Sequence, residues 1–159
     1  MRGEVVDGDP AEAILQTAAA RQADLIVMST HGYSGVTRWI MGSVTERVLA
    51  HAPCPVLVIR SDAPLKKMLI PLDGSELAEA ALAPALQVAG AFGAAVTLLR
   101  VVKEIPTRHV EELDTVEHGL GLRVQDERAD EAQTYLAEVV KRRPGQALAT
   151  AVRSGPAPS

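Results

Sequence analysis

The stretch Ala23–Arg60, ADLIVMSTHGYSGVTRWIMGSVTERVLAHAPCPVLVIR, constrains the fold more than any other part of the chain. Leu25–Met28 and Val56–Ile59 are short apolar runs, as expected of strands buried on both faces. Between them lie a glycine-bearing loop, Ser29 to Met41, and a helix opening at Gly42-Ser43-Val44-Thr45-Glu46, with Ser43 and Glu46 at capping-box spacing. Met41, Val44, Val48 and Leu49 mark that helix's inner face, and Pro53-Cys54-Pro55 stops it. A loop of this kind, ending where a helix begins, offers backbone N–H groups and the positive end of a helix dipole to an anion.

The rest of the chain repeats the strand-then-helix alternation. Glu4–Val6 reads as the end of a short strand. Asp9-Pro10-Ala11-Glu12 reads as a helix start, with Asp9 as N-cap, Pro10 at the first helical position and Glu12 completing a capping box. Met68–Leu72 predicts a third strand, running through Asp73-Gly74-Ser75 into a helix over Ser75–Ala91 that Pro84 should kink. Val96–Val102 predicts a fourth strand, and Lys103–Gly121 reads as a loop. Arg123–Arg142 is an amphipathic helix with Ala129, Ala132, Leu136 and Val139 or Val140 inward, and Ala147–Val152 is a last strand. Alternating strands and helices without hairpin signals indicate an α/β fold on a doubly wound parallel sheet. Ligands of such sheets sit beyond the carboxyl ends of the strands, where both the glycine loop and Asp73 fall.

Composition narrows the function classes. The chain has 159 residues, about one domain, and 47% hydrophobic residues but only 3% aromatic ones, which suits an aliphatic core under alanine-rich helices. Its formal net charge of −4 disfavours a broad nucleic-acid surface. The first residues, MRGEVVDGDP, contain no apolar core of a signal peptide, and no run approaches the roughly 20 apolar residues of a membrane span. The one cysteine, Cys54, fits a reducing compartment, so a cytoplasmic protein is expected, without nucleic-acid or membrane partners. Between two prolines, Cys54 reads as a small buried hydrophobe. Arg38 and Trp39 read as helix anchors, and His31 as structural. His109 and His118, with Glu111 and Glu112, match no compact metal-ligand spacing.

Residues 1–60 resemble the C-terminal half of a universal stress protein domain, and residues 66–159 resemble its N-terminal half. The family's nucleotide loop reads Gly, two residues, Gly, nine residues, Gly, then Ser or Thr. Here it reads Ser29, two residues, Gly32, nine residues, Gly42, Ser43, so a serine with its Cβ stands at the first glycine. KKMLIPLDGSELAEAAL carries the segment whose aspartate lies by the adenosine in nucleotide-binding members. The resemblance implies a Rossmann-like sheet of strand order 3-2-1-4-5 with ATP, accompanied by Mg2+, in its cleft. Ser29, Gly32, Gly42, Ser43, Val44 and Thr45 would lie by the phosphates, and Pro71, Leu72, Asp73 and Val101 by the adenosine. It implies action in stress response or signalling through partners, with weak ATP hydrolysis at most. The alternatives are a dimerising interaction module of the same family that binds no nucleotide, and a slow ATPase. The sequence GSVTE lacks the lysine of a P-loop.

The halves stand in the opposite order to the family's: back half 1–60, linker 61–67, front half 68–159. EVVDGDPAE near the start and TAVRSGPAPS at the end look like the same strand-to-helix turn, as if the back of one domain were joined to the front of the next. For one chain to close on itself, the linker must join two strand ends about 20 Å apart. Seven extended residues reach about 25 Å at most, and parallel crossovers usually need a dozen or more. The expectation is a homo-oligomer, a swapped dimer in which the front half of one copy completes the back half of another, or else a fragment of a tandem protein.

Overall fold

The computed structural model of the chain describes residues 3–29, 42–107, 109–110 and 117–155. It divides into two compact units, Met1–Ala63 and Pro64–Ser159.

In the first unit, α1 (Pro10–Ala20) begins as the sequence predicts: Asp9 accepts a hydrogen bond from the Glu12 N–H at 3.0 Å, and Pro10 opens the first turn. The capping box does not close, because the Glu12 carboxylate accepts from Gln16 Nε2 instead. β1 (Ile26–Ser29) and β2 (Val56–Ile59) pair in parallel, Ile26 opposite Val56 and Ser29 opposite Ile59. Between them runs α2 (Ser43–His51). Ala11 and Val48 are fully buried, and Thr45 is 3% exposed. Leu49, expected on the inner face, is exposed, and Thr45 takes that place. Glu4–Val6, expected as a strand end, is not a strand. Glu4 is instead held by an ion pair with Arg21.

In the second unit, β3 (Lys67–Pro71), β4 (Ala95–Lys103) and β5 (Leu148–Gly155) form a parallel sheet in the order β3-β4-β5. β3 lies one residue earlier than expected, although Leu72 still donates its N–H to Leu99 O at 2.8 Å. The helix expected over Ser75–Ala91 is two helices, α3 (Glu76–Ala80) and α4 (Leu82–Phe92), meeting at Ala81. Pro84 has no N–H for the Ala80 carbonyl and crowds it, so the pattern breaks one turn upstream of the ring. Gly93 ends α4 in the left-handed region, φ 62°, where glycine is unstrained. The loop expected over Lys103–Gly121 is partly helical: Thr107, His109 and Val110 are helical, and α5 (Leu120–Lys141) begins before residue 123.

The core of this unit gathers Ile70, Leu72, Leu82, Val96, Leu98, Leu136 and Val139. A fully buried side chain such as Leu98 contributes about 1.5–3 kcal/mol. α4 packs on β3 and β4, and α5 on β4 and β5. Both crossovers step the same way along the sheet, so right-handed connections put both helices on one face. The other face is bare within the unit: Leu69 is 59% exposed and Val101 52%. Among the described residues, β1 and β3 each pair with one strand, so each has a free ladder edge. Parallel sheets are ordinarily covered on both faces, so each unit alone is an incomplete layer structure.

Candidate functional site

Two groups of the expected site residues are described, each in its own unit. In the first unit, Ser29 ends β1 and Gly42 precedes α2. Gly42, not Ser43, is the N-cap, with φ −67° and ψ 148°, and no side chain caps the helix. Ser43 is therefore the first helical residue, and the expected Ser43–Glu46 capping box does not form. In a helix of nine residues the first-turn N–H groups of Ser43, Val44 and Thr45 have no intrahelical acceptor, and among the described residues no side chain caps them. The Thr45 side chain is buried, so what it can offer outward is its backbone. Gly32, with His31, Arg38, Trp39 and Met41, lies outside the described residues.

In the second unit, Pro71, Leu72 and Asp73 stand at the carboxyl end of β3, and Val101 lies towards the same end of β4, two residues past Leu99, the partner of Pro71. The Asp73 Oδ1 accepts from the Ser75 N–H at 2.9 Å and the Ser75 hydroxyl at 2.6 Å. The same hydroxyl oxygen accepts the Ala78 N–H and caps α3. These bonds, the Ser75 hydroxyl first, hold the Asp73 carboxyl below its ordinary range, with a smaller contribution from the Arg100 charge. Asp73 is therefore an exposed anion at neutral pH.

Sequence reasoning missed the wall of this site. Arg100 lies on the helix-covered face of β4, between Leu98 and Val102, and its alternation with those buried residues was the available signal. Its Nη1 donates to Leu72 O at 3.3 Å, and its guanidinium carbon lies 5.5 Å from the centroid of the Tyr135 ring. Gly74 has φ 86°, so the backbone calls for glycine, and a Cβ there would come to 3.1 Å from Arg100 Nη1 and make the guanidinium shift slightly. Asp73, Gly74, Arg100, Lys103, Arg128 and Tyr135 are among the residues lining a cavity of about 650 Å³. Burial, then the Glu79 carboxylate, raises the Tyr135 hydroxyl above its usual range. That hydroxyl is buried without a hydrogen bond of normal geometry. Among the described residues no three of His, Cys, Asp and Glu converge as metal ligands, and no helix is long and apolar enough to cross a membrane.

A family model described as the universal stress protein family matches residues 2–60 and 64–159. A universal stress protein of Thermus aquaticus is 52% identical over 56 residues, 35% of this chain and 41% of that protein. One from Methanocaldococcus jannaschii is 49% identical over 57 residues, 36% of this chain and 34% of that protein. A universal stress protein structure from Archaeoglobus fulgidus superposes with a TM-score of 0.62 at 23% identity, covering 93% of this chain and 48% of the other. A structure of a functionally unknown protein from Pseudomonas aeruginosa gives 0.66 at 19%, covering 95% and 50%. The chain thus spans about half the length of these solved structures and less of the two curated relatives. At these identities the structures speak for the fold alone.

Proposed function

The chain belongs to the universal stress protein family, and from that premise we propose that it binds an adenine nucleotide, ATP, at the carboxyl ends of its strands. It acts in the cytoplasm, in stress response or signalling, through partners rather than by rapid turnover. The observation that carries this reading is the amino end of α2, where, among the described residues, no side chain accepts from the N–H groups of Ser43, Val44 and Thr45. Those donors suit the oxygens of a triphosphate, with Ser29 and Gly32 beside them. Asp73, Leu72, Pro71 and Val101 take the adenosine, the carboxylate accepting from a ribose hydroxyl. Mg2+ would travel on the phosphate oxygens, as it commonly does where carboxylate ligands are few. Any hydrolysis is slow.

The assembly proposed with it is an exchange between two copies. Among the described residues β3 and β1 each have a free edge, and Leu69 and Val27 are exposed apolar side chains on these strands. Open apolar edges invite pairing with another chain. β3 of one copy would pair with β1 of the other and give the family's strand order. Sedimentation at low concentration tests this: a dimer is expected, and a monomer with one cooperative melt would exclude it.

Thermal melting with Mg-ATP tests the nucleotide reading. At 100 times its Kd, a ligand that binds only the folded state stabilises it by about 2.7 kcal/mol. Absence of any shift at millimolar Mg-ATP would favour the second reading, a dimerising module without nucleotide. Ser29 supports that reading, because it adds a Cβ where the family's loop has none.

A further inference from the structure

The cavity of the second unit holds an excess of unpaired positive charge. Arg100, Lys103 and Arg128 line it, against the carboxylates of Asp73 and Glu131. Among the described residues, none of the three cations takes part in an ion pair; the arginine pairs are Arg21 with Glu4, Arg47 with Asp9, Arg123 with Glu117 and Arg142 with Glu79. Arg100 is the most informative. It is part-buried, and its acceptor is the Leu72 carbonyl at the long distance of 3.3 Å. A guanidinium carries five donors, so among the described residues most of its fork has no protein acceptor. The guanidinium lies over the Tyr135 ring, 5.5 Å from its centroid, which limits the side-chain freedom left to be lost on binding. The Asp73 carboxylate is already engaged by Ser75 through Oδ1. At about 650 Å³, the cavity is within the size range of small-molecule sites.

We propose that this cavity is a phosphate-binding site in its own right, with Arg100 as the principal ligand and Arg128 and Lys103 as flanking charges. A phosphate group is the matching chemistry, because a planar fork can grip two of its oxygens at once. The site shares Asp73 and Val101 with the proposed nucleoside position but does not depend on the amino end of α2. Its ligand is a phosphorylated small molecule, or a nucleotide bearing a phosphate at its nucleoside end.

The experiment uses the full chain and pyrophosphate without Mg2+, followed by amide and arginine side-chain NMR shifts, with sulfate as a second probe and adenosine as a control. Pyrophosphate should shift Gly74, Arg100 and Val102. Arg100→Leu should weaken binding at least tenfold, Arg100→Lys less, and the exposed Arg128→Ala a few-fold with the fold unchanged. Gly42→Asp, which fills the amino end of α2, should leave pyrophosphate binding at Arg100 in place. Loss of binding in Gly42→Asp with retention in Arg100→Leu would overturn the proposal and place the anion on α2. Adenosine binding without pyrophosphate binding would also overturn it while leaving the nucleotide reading intact. Pyrophosphate binding at Arg100 without any ATP effect at α2 would support it and count against that reading.

Discussion

Asp9 and Arg47, 38 residues apart, are joined by two hydrogen bonds from one guanidinium nitrogen, 3.0 Å to Oδ1 and 2.8 Å to Oδ2. The same Oδ1 caps α1 through the Glu12 N–H. One carboxylate therefore both starts α1 and ties it to α2.

That dual use makes the first unit sensitive to acid. The Glu12 N–H, then Arg47, lowers the Asp9 carboxyl below its ordinary range. A lowered folded-state value means the contribution is complete above the unfolded carboxylate value and is lost as pH falls through the folded one. NMR titration should show the α1 amides and the Arg47 side chain shifting together below pH 4, the ordinary aspartate range. In Asp9→Asn the cap remains, but the acid-dependent movement of Arg47 should disappear. Its persistence would remove Asp9 as the cause.

Gly42→Asp should separate stability from binding. A carboxylate at the N-cap satisfies a first-turn N–H and should stabilise α2 by a few tenths of a kcal/mol. It places a negative charge where the triphosphate is proposed to sit, so Mg-ATP affinity should fall at least tenfold. Calorimetric titration checks this, and unchanged affinity would take the phosphates away from α2.

Gly74→Ala should destabilise the second unit by about 1–2 kcal/mol, the usual cost of an L-residue held in the left-handed region. The methyl would also press on Arg100. Urea unfolding followed by a reporter in this unit measures the change. Equal midpoints would mean that the turn relaxes.

Leu98→Ala should cost 2–5 kcal/mol, roughly the range for deleting a fully buried leucine side chain. Leu69→Ala, on the bare face, should cost far less in a monomer. If Leu69→Ala proves as costly as Leu98→Ala, that face is covered in solution, and weakened dimerisation would identify a second copy as the cover.

Pro84→Ala should let α3 and α4 merge. The restored N–H can donate to Ala80 O, so residue 84 should gain a protected amide and hydrogen exchange at the neighbouring amides should slow. Unchanged exchange would assign the break at Ala81 to packing instead of the proline ring.

Much of the fold was legible because it rests on local rules. The Asp9-Pro10 start, the Val56–Ile59 strand and the inward Ala132, Leu136 and Val139 all follow from caps and periodicity within a few residues. Asp73 was legible because a strand running into Asp-Gly-Ser must turn there. The capping box at Ser43 failed because Gly42 takes the cap position in extended backbone, which sequence spacing cannot decide. The expected strand at Glu4–Val6 failed because a strand needs a neighbour, and none stands beside it among the described residues.

The sequence by itself determined most of the strands and helices, their parallel class, and the turn at Asp73. Periodicity, caps and glycines act over one or two helical turns, so one chain read in order suffices. Only the tertiary structure decided that the strands form two sheets, β1-β2 and β3-β4-β5, and that Arg100 leans across Gly74 onto Tyr135. Those outcomes depend on pairing and side-chain contact between residues far apart in the chain. There the deciding quantity is which surfaces meet, and no local spacing encodes it.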